Sequence, residues 1–247
     1  MPDRIHGERI RIDDDQVQRF FSDRARRSEA LDPVVAMLYQ DSNPELAQSR
    51  DQHEKETLLP LLDPTEQDRV LDIGCGLGRW TEVLADQVAH YVGTDPIEPL
   101  IDLARQRNAG RKNVAFHVCG AEQVSLAALS QTAGFTTILI AGVLHYLNDD
   151  VCEAAFRNAL ACAADESQIL VRTPIGIDGR FTLRGIWSDE LGHEYSAIYR
   201  SRAEYLELFD TIFLGAGFRL TQDFALFADA LNNRTETRQH VFLLQRN

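Results

Sequence analysis

Long apolar runs are missing from this chain. The longest, Ile138–Leu144, is far short of the roughly 20 residues a helix needs to cross a bilayer. The N-terminus, MPDRIHGERIRIDDD, lacks the apolar centre of a secretory signal. Cysteine is scarce too. Cys75, Cys119, Cys152 and Cys162 show no C-x-x-C spacing and no His/Cys cluster. That pattern excludes a zinc site of the usual kind, calls for no metal, and reads as free thiols in a reducing compartment. Internal repeats and low-complexity tracts are also lacking. The expectation is a soluble, cytoplasmic protein.

Positive charge is in deficit: the formal net charge is −13, with an isoelectric point near 4.9. Such a surface repels phosphate backbones and anionic lipid, so neither nucleic acid nor membrane is an expected partner. With 247 residues, 44% of them hydrophobic, the chain is long enough for one large domain, or one domain with a small lid.

Residues 1–66 read as a helical N-terminal cap. DDDQVQRFFSDRARR sets acidic residues ahead of Val17, Phe20, Phe21 and Ala25 at helical spacing. SNPELAQSRDQHEKETLLPLL places Pro44 in a first helical turn. Its projection puts Leu46, Arg50, His53, Thr57 and Leu61 on one stripe, which makes the guanidinium of Arg50 conspicuous. From Asp68 the pattern changes. RVLDIG, HYVGTD, NVAFHV, TTILIAGV and QILVRT read as strands alternating with helical segments, and RLTQDFALF and TRQHVFLLQ as a closing pair. This rhythm predicts an α/β fold over 67–247: a Rossmann-like doubly wound sheet, mostly parallel with an antiparallel last strand. Residues 174–200 interrupt it as an insertion that covers the substrate.

The informative stretch is VLDIGCGLGRW, residues 70–80. A nucleotide P-loop would need Lys-Ser/Thr after its last glycine, and none follows here. A dinucleotide loop spaces its glycines G-x-G-x-x-G, whereas this one has Gly74, Gly76 and Gly78. Asp72 stands directly before the loop, and a carboxylate there suits a ligand carrying positive charge better than a pyrophosphate. With Asp95 closing the second strand, one helix and one strand further on, the chain resembles the class I S-adenosylmethionine-dependent methyltransferases.

That resemblance implies S-adenosylmethionine as cofactor. It places Asp72, Gly74, Cys75, Gly76 and Gly78 around it, Asp95 and Pro96 at its ribose, and Gly120, Ala121 and Glu122 near its adenine. Ala141 and Gly142 follow beside its methionine part. Many relatives carry an Asp where this chain has Ala121 and Glu122, and often an Asp at the position of Thr136. Arg50, with Tyr39, is expected to reach the methionyl carboxylate from the cap.

His145, after the fourth strand, is the candidate general base, since an unperturbed imidazole suits proton removal near neutrality. Tyr146, Arg172, Arg180, His193, Tyr195, Tyr199 and Arg200 are the candidate substrate residues, and their arginines suggest an anionic or polyhydroxylated acceptor. The segments FFSDRARR, MLYQDSNPELAQSR and YSAIYR add a likeness to sugar and natural-product methyltransferases. The resulting expectation is methyl transfer to an oxygen, less readily a nitrogen, of a small metabolite. A catalytically silent cofactor-binding module and a nicotinamide-dependent oxidoreductase remain the alternatives, and a homodimer is left open.

Overall fold

The computed structural model describes residues 3–28, 32–38, 43–189, 191–232 and 234–247. The chain opens on a strand, β1 (Asp3–His6), followed by helices α1 (Asp14–Arg27), α2 (Pro33–Leu38) and α3 (Pro44–Leu62). Caps fix these helices: Asp13 accepts from Gln16 N at the start of α1, and Asn43 accepts from Leu46 N ahead of Pro44. Alternating units follow: β2 (Arg69–Ile73), α4 (Thr81–Leu84), β3 (His90–Asp95), α5 (Glu98–Arg107), β4 (Val114–Val118), β5 (Phe135–Ala141), α6 (Asp149–Cys162) and β6 (Ala163–Gly176). The chain ends with β7 (Phe181–Ser188), β8 (His193–Tyr199), α7 (Arg202–Ile212), β9 (Arg219–Ala225) and β10 (Thr237–Arg246).

Seven strands form one sheet in the order β4-β3-β2-β5-β6-β10-β9. Pairings from β4 through to β6 are parallel, and β10 runs antiparallel to both neighbours. The expected sheet is therefore present. Apolar residues pack both faces, as a covered parallel sheet requires. On one face Phe156, Phe209, Phe213 and Phe242 meet at ring separations of 5.1–6.1 Å. On the other, Leu58 and Leu62 of α3 join Trp80, Tyr91 and Ile101. The strand order reverses between β2 and β5, and the crevice beyond their carboxyl ends is where such sheets bind ligands.

Three expectations need correction. The N-terminal segment is not all helical: β1 pairs with β7, and β7 with β8, so the insertion and the chain start build a second, antiparallel sheet. A four-residue strand is too short for periodicity to reveal. The helix after the glycine loop is only Thr81–Leu84, whereas the segment RWTEVLADQVA as a whole reads as helical from sequence. Finally, the buried face of α3 is Ala47, Asp51, Glu54, Leu58 and Leu62, one position round from the apolar stripe, because two of its acids are neutralised by arginines.

Arg180 and Arg200, expected at the substrate, instead knit the insertion to the main sheet. Arg200 donates to Asp149 Oδ1 and to the carbonyls of Leu144 and Leu147, while Arg180 pairs with Asp149 and Glu204. Neither lines the ligand cavity. Their nearly complete burial needs these partners, since an unpaired buried guanidinium is prohibitively costly. Arg200→Met should therefore lower stability by about 3 kcal/mol in urea unfolding. A loss within 0.5 kcal/mol would show that the clamp is dispensable.

Candidate functional site

At the switch point the main chain passes through Gly74, Gly76 and Gly78 with φ of 75°, 54° and 79°. L-residues with side chains rarely adopt these values. Close approach adds a second requirement at Gly74, where a Cβ would stand 2.2 Å from Val143 Cγ2, in the loop after β5. The two central strands thus come together at their ends only because residue 74 has no side chain. Gly74 N and Cys75 N donate to Thr94 O at 2.7 and 2.8 Å, tying the loop to β3.

Asp95 closes the turn. Its Oδ2 accepts from Gly76 N at 3.2 Å and its Oδ1 from Ile97 N at 2.9 Å. Burial raises its pKa to about 6 against the opposing pull of those two amides. Asp72 is likewise lifted to about 6 by burial, with the Tyr91 hydroxyl donating to it at 2.5 Å and opposing the rise. Both carboxyls line a cavity of about 610 Å3, within the range of small-molecule sites.

The other candidates sort clearly. Cys75, Gly76, Pro96, Gly120, Ala121 and Glu122 line the same cavity, and so do Gly74, Ala141 and Gly142. Gly78 does not line it and acts through backbone shape. Arg50 reaches the cavity, with Nε donating to Leu231 O at 2.8 Å and the guanidinium 5.6 Å from the Phe227 ring centre. Tyr39 lies outside the described residues.

Of the expected base and substrate residues, His145, Tyr146, Tyr195 and Tyr199 all line the cavity. The tyrosine hydroxyls form a chain, Tyr146 to Tyr195 at 3.1 Å and Tyr195 to Tyr199 at 3.3 Å. His193 is elsewhere: its ring packs edge-on against Phe20 and its Nδ1 contacts Glu194 O, so it joins the wall of α1 and β8. Arg172 does line the cavity, but its Nε is held by Glu54 at 2.9 Å.

His145 differs most from its expected character. It is buried, its Nδ1 has no hydrogen-bond partner among the described residues, and the ring centre lies 3.8 Å from that of Tyr146. Burial, then the charges of Arg172 and Arg200, depress its pKa to about 3. The imidazole is neutral across the working range and a poor proton sink.

Hydrophobic patterning missed the ionic floor beneath the glycine loop. Arg79 of the loop donates to Asp51 at 2.6 Å and Glu54 at 2.7 Å, and Lys55 holds Asp51 at 2.7 Å. The i, i+3 pair Asp51 and Glu54, one turn from Arg50, was the available signal. Also missed were Phe21 of α1 and Met37 of α2, which bring the cap onto the cavity.

Comparison with known proteins agrees with this geometry. Residues 70–165 match the family described as a methyltransferase domain. The 23S rRNA (uracil(1939)-C(5))-methyltransferase RlmD of Klebsiella pneumoniae is 38% identical over 87 residues, covering 34% of this chain and 20% of that protein. Phosphoethanolamine N-methyltransferase 1 of Arabidopsis thaliana is 32% identical over 125 residues, covering 50% and 24%. The chain thus spans about a quarter or less of the length of these curated relatives. Among solved structures, Haemonchus contortus phosphoethanolamine N-methyltransferase 1, in complex with phosphoethanolamine and S-adenosylhomocysteine, superposes with a TM-score of 0.71 at 19% identity. The superposition covers 95% of this chain and 50% of that one.

Gly74→Ala tests the close approach. The forced left-handed backbone and the clash with Val143 together should cost about 3 kcal/mol in urea unfolding. A stability change under 1 kcal/mol would show that the strands can separate here without penalty.

Proposed function

We propose that this chain, whose residues 70–165 match a methyltransferase domain, is a class I S-adenosylmethionine-dependent methyltransferase that transfers the cofactor's methyl group to a nucleophilic atom of a small metabolite. One observation carries this reading: left-handed Gly74 and Gly76 and the amide-bonded Asp95 meet at the switch point, on the wall of a cavity large enough for cofactor and acceptor, with Gly78 completing the turn behind them. The residues present fit the cofactor. A Cβ at Gly74 would displace the loop that forms the cradle, Asp95 offers a carboxylate to sugar hydroxyls, and Asp72 supplies negative charge for a cationic ligand.

The cofactor supplies an already activated methyl group, so the protein's work is alignment and exclusion of water. Asp95 holds the ribose, with Ala121 and Glu122 at the base, while Arg50 engages the methionyl carboxylate. His145 and the three tyrosines hold the acceptor. An imidazole this weakly basic orients a nucleophile through a hydrogen bond and does not ionise an ordinary alcohol. That favours a neutral amine nitrogen, or an oxygen as acidic as a phenol, as the acceptor. The N-methyltransferases among the relatives support the nitrogen. The cap over 1–66 and the insertion at 174–200 close the site around the methyltransferase domain of 67–247.

Calorimetric titration with S-adenosylhomocysteine and with NADH tests the core of the reading. The first should bind and the second should not; the reverse would assign the cavity to a nicotinamide. Proton linkage gives a sharper check. Ribose hydroxyls and a sulfonium favour ionised Asp95 and Asp72, whose pKa values near 6 mean both gain protons below that pH. S-adenosylmethionine affinity should fall by up to about tenfold per pH unit below 6 for each carboxylate that must ionise. The cofactor-free chain should show the opposite trend from this pair, losing stability as pH rises from about 4 to 6, because the folded state binds more protons there. Affinity flat from pH 7 to 5 would remove both acids from cofactor binding.

Replacement of His145 by Asn should lower kcat at least about tenfold and leave S-adenosylhomocysteine affinity unchanged. The acid limb of the pH–kcat profile should be the same in both proteins. Disappearance of a limb near pH 6.5 in the variant would restore His145 as a titrating base.

A further inference from the structure

Two arginines that line the cavity have no part in the cofactor reading. They are Arg4 on β1 and Arg234, just ahead of β10, and they come from opposite ends of the chain. Both charges act on Tyr199. Burial and the neighbouring Tyr195 hold that phenol well above its ordinary range, while the charges of Arg4 and Arg234 both pull it down. The Arg4 guanidinium lies 5.9 Å from the centre of the Phe181 ring, which stacks on Tyr199 at 4.7 Å. Pairing of β1 with β7 and of β7 with β8 sets these three side chains on adjacent strands.

Among the described residues that line the cavity, Asp72, Asp95 and Glu122 follow the cofactor strands, and Glu236 alone stands beside Arg4, with which it pairs. Side chains in that pair are 46% and 40% exposed, so the contact adds little stability and exchanges partners readily. Arg180 and Arg200, which the sequence suggested for an anionic acceptor, are locked in buried pairs.

Resting on the methyltransferase reading above, we propose that Arg4 and Arg234 form a subsite for an oxyanion carried by the methyl acceptor, a carboxylate or a phosphate. Glu236 is the internal group that Arg4 releases when the acceptor enters. A guanidinium fork matches either oxyanion, and the neighbouring rings of Phe181 and Tyr199 accommodate a flat apolar body. The strongly acidic surface makes this local pair necessary, because an anion gains nothing from the protein's long-range field.

The test uses the full chain saturated with S-adenosylhomocysteine, titrated by calorimetry with phenyl phosphate, benzoate and benzyl alcohol. Both anions should bind at least about tenfold more tightly than the neutral alcohol, and the tighter of the two identifies the oxyanion. Arg4→Gln and Arg234→Gln should each remove most of that preference, with benzyl alcohol and S-adenosylhomocysteine affinities unchanged. Glu236→Gln, which releases Arg4, should tighten both anions. Equal binding of neutral and anionic probes, no detectable binding of any probe, or full preference in both arginine variants would overturn the proposal. So would a loss that extends equally to benzyl alcohol and S-adenosylhomocysteine. Failure of the wild-type chain to bind S-adenosylhomocysteine would instead overturn the methyltransferase reading. The same probe comparison on the cofactor-free chain would then decide the anion subsite by itself.

Discussion

Glu54 is the point on which the molecule's two halves depend. Its carboxylate is 1% exposed and lies between Arg79 of the glycine loop and Arg172 of β6. Removing three charges from water is costly, and the cost is offset only while all three stay in register. Burial alone would raise the Glu54 pKa, yet the two guanidiniums hold it below the ordinary carboxylate value. Lifting α3 would strand two arginines in the core, so cap, loop and sheet move together or not at all. The packing of Leu58 and Leu62 in the same helix supplies the non-specific adhesion, and the ion chain supplies the register.

Much of this arrangement was legible in the sequence. Short apolar runs located β2, β3, β5 and β6, because strands inside a covered parallel sheet keep mostly apolar positions. Gly74, Gly76 and Asp95 were legible because backbone shape and a hydrogen-bonding acid each demand a specific residue type at a fixed spacing. The buried ion chain was not. Asp51 and Glu54 look like a solvated face until Arg79 and Arg172 are brought to them from 25 and 118 residues away. β1 was hidden for a related reason: four residues gain a strand's stability only from β7, far along the chain. Arginines in the insertion invited a ligand reading, yet sequence cannot separate a guanidinium that waits for an anion from one already satisfied by Asp149.

The site's electrostatics follow a single logic. Around the glycine loop, Asp72 and Asp95 are buried with hydrogen bonds that only partly offset desolvation, so both are held near pH 6 as reluctant anions. A ligand bearing positive charge and hydroxyl donors relieves that penalty, which makes the binding of such a ligand more favourable than the contacts alone would be. Arg79 and Arg172 are close enough to lower Asp72 but are already committed to Glu54 and Asp51. The floor therefore stabilises the carboxylate without neutralising the cradle.

At the acceptor end the same burial acts on the opposite kind of group. His145 sits in the loop whose carbonyls, Leu144 and Leu147, are held by Arg200, and that clamp keeps a positive charge near the ring. The residue that fixes the position of His145 is thus also one that keeps it uncharged. Asn148, the next polar residue of the loop, accepts from Ile12 N and donates to Ile12 O, so the segment ahead of α1 is fastened to the same turn. A neutral ring at a fixed position can align a nucleophile and share a hydrogen bond with it. What the fold supplies in this loop is a precisely placed, uncharged ring rather than a basic one.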